Sequence, residues 1–122
     1  MTTELLVKAT GAIHINHKIN LVQQKTYNFL LKHAYHDLLK KSSFSIPMNQ
    51  LLTFLGTRND ENIKQLMRGF IAPVDFNILG KDAVNDWKVF PLLSIASIKN
   101  GILHYAFGEE LSELLYNPDY YA

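Results

Sequence analysis

The residues most able to do chemistry are Arg58, Asn59, Asn62, Lys64, Gln65 and Arg68, which fall between positions 58 and 68. Asn and Gln amides can make paired hydrogen bonds to base edges. Arg does the same, and Arg and Lys also neutralise phosphate. That chemistry is contact with duplex nucleic acid. A helical hairpin with a solvated polar face would carry the same residue types, so these residues alone leave both readings open.

Other chemistries have thinner support. His14-x-x-His17 and His33-x-x-His36 have spacings found in zinc sites. The second pair falls at i, i+3 on a predicted helix. A site needs two further ligands, and only Asp37 is close. Surface or packing histidines explain both pairs better, so no metal site and no cofactor are assigned. Glu109, Glu110 and Glu113 cluster where a helix begins, where acids complement the helix dipole. A glycine-rich phosphate loop, Gly-x-Ser-x-Gly and His-Glu-x-x-His are all absent from the chain, so catalysis is not expected. The chain has no cysteine. That excludes a disulfide framework, thiolate zinc sites and a cysteine nucleophile.

The elements that must hold residues 58–68 follow from periodicity. An arm containing Leu5-Leu6-Val7 leads to a short strand at Ala12-Ile13-His14-Ile15. Asn20 and Gln23 have capping-box spacing. Apolar residues at 21, 27, 30, 31, 34, 35, 38 and 39 then predict an amphipathic helix of about 20 residues. Gln24, Lys25, Asn28, Lys32, His36 and Lys40 form its outer face. Ser42-Ser43 breaks it, and Phe44 and Ile46 alternate as in a very short strand. Pro47 suits the first turn of a second helix bearing Met48, Leu51, Leu52 and Leu55, and Gly56 suits its end. After a polar turn, Asn59 or Asp60 caps a third helix. Its inner face is Ile63, Leu66, Met67, Phe70 and Ile71, which turns Asn62, Lys64, Gln65 and Arg68 outward. Pro73 stops it.

Strands follow. Val74, Phe76 and Ile78 alternate with polar residues, and Gly80-Lys81-Asp82 opens a turn. Residues 87–98 form one long, mostly apolar run with Pro91 inside, which suggests an edge strand or a bulge. Its open edge could pair with a second copy of the chain. Asn100-Gly101 signals a type I′ hairpin, and residues 102–107 return from it. Trp87, Phe90, Tyr105 and Phe107 are expected in the core rather than stacked on bases. A short acidic helix through Leu111, Leu114 and Leu115 ends at Asn117-Pro118. Two helices joined by a tight polar turn, followed by a β-hairpin, make an α+β winged helix: a helix-turn-helix, a hairpin wing and a short C-terminal helix.

At 122 residues the chain fits a single domain, 1–122. No apolar run approaches the length of a membrane span, and the start lacks the pattern of a signal peptide. The net charge of +1 conceals an asymmetry. Residues 1–56 carry +4, residues 57–72 carry +1, residues 73–90 carry −1 and residues 91–122 carry −3. Such an asymmetry suggests a basic helical half facing a polyanion with an acidic end turned away, or simply a solvated helix face.

Several blocks resemble plasmid replication initiators, the Rep proteins that bind repeated origin sites (iterons). They are Leu6-Val7-Lys8-Ala9, then Ile19-Asn20-Leu21-Val22-Gln23-Gln24-Lys25 with Tyr27-Asn28 and Leu30-Leu31. Further on come Trp87-Lys88-Val89-Phe90-Pro91-Leu92-Leu93-Ser94, Asn100-Gly101, Phe107-Gly108-Glu109-Glu110-Leu111 and the segment 114–122. The chain is similar to the N-terminal winged-helix domain of that family over nearly its whole length. The resemblance implies the first of two winged-helix domains, with the second absent from this chain. It implies origin DNA as partner through Arg58, Asn59, Asn62, Lys64, Gln65 and Arg68, and a bacterial cytoplasmic setting. It also implies that the first domain contributes backbone contacts and builds the dimer of the replication-inactive form. Strands 87–97 and 102–107 are the candidates for that interface, with Trp87, Val89, Phe90, Leu93 and Ile95 in it. Host replication proteins are further partners it leaves room for. Two alternatives stay open: a self-association module with little DNA binding of its own, and a winged-helix transcriptional repressor.

Overall fold

A computed structural model describes residues 13–15, 19–79 and 85–116. The expected arm at 5–7, the turn at 80–82 and the stop at Asn117-Pro118 lie outside the described residues. Strand β1 (Ile13–Ile15) precedes helix α1 (Leu21–Ala34), which passes into a 3₁₀ turn at Tyr35–Asp37. Strand β2 (Phe44–Pro47), helix α2 (Met48–Leu55) and helix α3 (Asp60–Ile71) follow. Strands β3 (Pro73–Leu79), β4 (Asn85–Pro91), β5 (Ile95–Lys99) and β6 (Ile102–Ala106) lead to helix α4 (Glu109–Tyr116). Among the described residues all strand pairs are antiparallel, in two three-stranded sheets ordered β1-β3-β4 and β2-β6-β5.

The capping box at the start of α1 is complete. Asn20 Oδ1 accepts from Gln23 N at 2.8 Å, and Gln23 Oε1 accepts from Asn20 N at 3.0 Å. Tyr27, Leu30, Leu31 and Ala34 form the buried stripe of α1. The helix is shorter than its apolar pattern suggests. Past Ala34 the backbone tightens into the 3₁₀ turn, and Lys40 N and Lys41 N both bond to Asp37 O. Leu38 is still buried while Leu39 is exposed. A 3₁₀ turn keeps side chains near a three-residue repeat, so the pattern runs on where the α-helix does not. Pro47 closes β2, paired with Ile102, and α2 begins one residue later.

The run 87–98 departs further from expectation: it is two strands in two sheets. Pro91 ends β4, having no N–H for the ladder. Leu92 and Leu93 carry the chain through the core, and Ser94 N bonds to Ala106 O at 2.8 Å as β5 begins. The run is mostly apolar because the crossing is buried and Phe90, Ala96 and Ile98 of the flanking strands pack against the core.

The core joins both sheets to the helices. Leu30, Ile46, Leu51, Ile63, Phe70, Phe76, Leu93, Leu103, Tyr105, Leu111 and Leu115 are fully buried. Each such aliphatic side chain contributes roughly 1.5–3 kcal/mol. Tyr27 sits edge-on to Phe70 at 5.4 Å and to Phe107 at 5.7 Å, which packs α1 against α3 and the segment after β6. Trp87 is not part of this core; it is 62% exposed. No helix among the described residues is long and apolar enough to cross a membrane.

Candidate nucleic-acid interface

The turn between α2 and α3 is built by local hydrogen bonds. Gly56 takes a left-handed φ of 72°. Thr57 N reaches back to Leu52 O at 3.1 Å and Gly56 N to Thr53 O at 3.2 Å, a Schellman ending. Asn59 then caps α3, its Oδ1 accepting from Glu61 N at 2.9 Å. The Thr57 hydroxyl accepts from Asn59 N at 3.2 Å and from Asn62 Nδ2 at 3.0 Å. Asn59 and Asn62 therefore have their side chains engaged in shaping the turn. Nothing in the spacing of these residues announced the role of Thr57.

Buried residues aim the helix. Ile63, Met67 and Phe70 anchor α3, while Leu66 is half-buried. Ile71, expected inside, is 37% exposed at the rim of the core, next to the buried Phe70. Leu93 N donates to Phe70 O at 3.1 Å, and the Tyr27 hydroxyl donates to Leu92 O at 2.8 Å. The crossing between the two sheets thus fixes the C-terminal end of α3. Gly69 lies close to α1; a Cβ there would meet Gln23 Nε2 at 3.0 Å.

This packing leaves Lys64, Gln65 and Arg68 exposed on the outer face of α3, with Arg58 exposed in the turn before it. Among the described residues no salt bridge engages Arg58, Lys64 or Arg68. Asp60 and Glu61, also exposed, occupy the first turn of α3, where the helix dipole favours acids. Positive charge is therefore concentrated toward the middle and end of the helix.

The hairpin β5–β6 flanks this face. Asn100 and Gly101 both have positive φ, 54° and 73°, as a type I′ turn requires. Met48 N donates to Gly101 O at 2.9 Å, which ties the hairpin tip to the start of α2. An open groove of about 420 Å³ separates α3 from β5. Lys64, Arg68 and Ile71 line one side of it, and Ala96, Ser97 and Ile98 line the other.

The profile described as Initiator Replication protein, WH1, matches residues 5–122. The chain belongs to this family. A crystal structure of domain 2 and domain 3 of RctB (selenomethionine derivatives) resembles it with a TM-score of 0.52 at 14% sequence identity. The likeness covers 89% of this chain and 49% of that one, so the chain spans about half the length of the solved structure. No curated protein matches the chain. The WH1 assignment agrees with the winged helix: α2, α3 and the β5–β6 hairpin are its helix-turn-helix and wing.

The strand residues expected at a dimer interface separate into two groups. Trp87, Val89 and Ile95 are exposed. Phe90 is half-buried against Phe76, with ring centroids 4.5 Å apart, and Leu93 is fully buried in the core. The side chain of Leu93 is therefore unavailable to a partner in this fold. His33 and His36 are both exposed, and His33 Nε2 lies 3.3 Å from Ser45 O. His14 and His17 lie outside the residues whose side chains are described.

Proposed function

We propose that this WH1 domain binds duplex DNA at the repeated sites of a replication origin, as part of a replication initiator. The carrying observation is the outer face of α3, where Lys64, Gln65 and Arg68 stand exposed beside the wing in a chain of the initiator family. Lys64, Arg68 and Arg58 neutralise phosphates, and Gln65 is the amide placed to meet a base edge. Asn59 and Asn62 hold the turn that presents them. The role is binding, without a chemical step. The net charge of only +1 supports a division of labour in which a second winged-helix domain of the full initiator supplies further contacts.

Titration of a fluorescent origin-repeat duplex at several salt concentrations tests the reading. Lys64→Ala and Arg68→Ala should each weaken binding and flatten the slope of log K against log salt by about 0.9. Unchanged affinity and slope in both variants would remove α3 from the interface.

A second reading, self-association, is favoured by the sheet edges. β4 is the outer strand of the β1-β3-β4 sheet and shows Trp87 and Val89 to solvent; β5 is the outer strand of its own sheet and shows Ile95. An edge strand beside exposed apolar side chains favours pairing with another strand. A wild-type domain that sediments only as monomer at high concentration would eliminate this reading. A dimer that Trp87→Glu dissociates would support it.

A further inference from the structure

A second surface lies between α1 and α2, and the DNA-binding reading does not use it. Phe54 of α2 is 47% exposed and stacks on Phe29 of α1, with ring centroids 4.3 Å apart and an interplanar angle of 26°. Together they floor an open groove of about 600 Å³ between the two helices. Lys25 and Lys32 stand exposed along its α1 side. They stand seven positions apart on the helix, about 10 Å along one stripe, with Phe29 between. Among the described residues neither lysine is in a salt bridge and no carboxylate lines the groove. Its other rim residues include the amides of Asn28 and Gln50.

We propose that this α1–α2 groove is a docking site for an acidic amphipathic helix of a protein partner. Charge complementarity selects the occupant. Two cations two turns apart match carboxylates at i and i+7 of a facing helix. The aromatic floor matches a large apolar side chain midway between those carboxylates. This is helix-in-groove recognition with an aromatic anchor and a charged rim. A single strand of nucleic acid fits less well. It would lay several phosphates along the same length, and the groove offers two lysines. The groove shares no lining residue with the α3–β5 groove, so a partner can dock while α3 is on DNA.

The test uses the whole domain and a fluorescent helical peptide with two glutamates seven residues apart and a tryptophan midway. Anisotropy should report saturable binding below about 1 mM. Lys25→Glu with Lys32→Glu should weaken it by at least about tenfold, and a peptide with lysines in place of the glutamates should regain affinity for that double variant. Phe54→Ala should weaken binding with the far-ultraviolet circular dichroism unchanged, because the ring is half exposed. Arg68→Ala should leave peptide affinity unchanged. Three results overturn the proposal: no binding at about 1 mM, equal binding of the acidic and basic peptides by the wild-type domain, or displacement of the peptide by oligothymidine through the same residues.

Discussion

Two buried tyrosines make the same kind of hydrogen bond, yet removing the hydroxyls should cost different amounts. Tyr27 donates to Leu92 O at 2.8 Å and Tyr105 donates to Leu30 O at 2.8 Å. Both rings are buried. Leu30 lies inside α1, four residues before its last residue, so its carbonyl also accepts the helical bond from Ala34 N. Leu92 lies in the crossing between sheets, and among the described residues the Tyr27 hydroxyl is the one donor to its carbonyl. Tyr27→Phe therefore strands a buried acceptor and should cost about 1–3 kcal/mol. Tyr105→Phe leaves its acceptor partnered and should cost about 0.5–1.5 kcal/mol. Both keep their aromatic packing, so the difference isolates the carbonyl. Urea unfolding followed by circular dichroism measures each, with the slope m expected to stay at its wild-type value. A Tyr27→Phe cost equal to or below that of Tyr105→Phe would refute the reasoning. The same crossing holds the end of α3 through Leu93 N and Phe70 O, so Tyr27→Phe should also weaken DNA binding while Tyr105→Phe leaves it nearly unchanged.

The same phenols should set the alkaline limit of the fold. Burial raises the pKa of Tyr27 and of Tyr105 above the ordinary value of 10.0. Below about pH 10 both states keep the protons and stability is full. Above it the unfolded chain releases them first, and stability should fall by about 1.4 kcal/mol per pH unit for each tyrosine, checked by urea midpoints across the alkaline range. Asn59→Ala removes the α3 cap and should cost about 1 kcal/mol, while Asn59→Asp, which keeps the accepting oxygen, should stay near wild type in the same unfolding assay.

Much of the helix-turn-helix is legible because short-range chemistry dictates it. Asn20 with Gln23, Gly56, Asn59 and Asn100-Gly101 are each fixed by bonds or backbone angles within a few residues, and each does what its type predicts. Periodicity is a weaker guide where two structures share it. The apolar pattern past Ala34 continues through a 3₁₀ turn. The run 87–98 hides a change of sheet, because a buried crossing is as apolar as a strand. That change puts Leu93 in the core and leaves Trp87, Val89 and Ile95 facing solvent. The engagement of Asn59 and Asn62 by Thr57 was not legible, since side-chain bonds across a turn depend on its conformation. The Phe29–Phe54 stack was hidden for a related reason. The two rings lie on different helices, and only the packing angle brings them together.

Mapping amide chemical shifts of an isotope-labelled domain, titrated with an origin-repeat duplex, is the most direct test of α3 and the wing as the DNA-facing surface. Perturbations should cluster at residues 64–68 and 96–99 and spare Lys25, Lys32 and Phe54. Perturbations confined to α1 and α2, with α3 and β5 unmoved at saturation, would contradict that assignment.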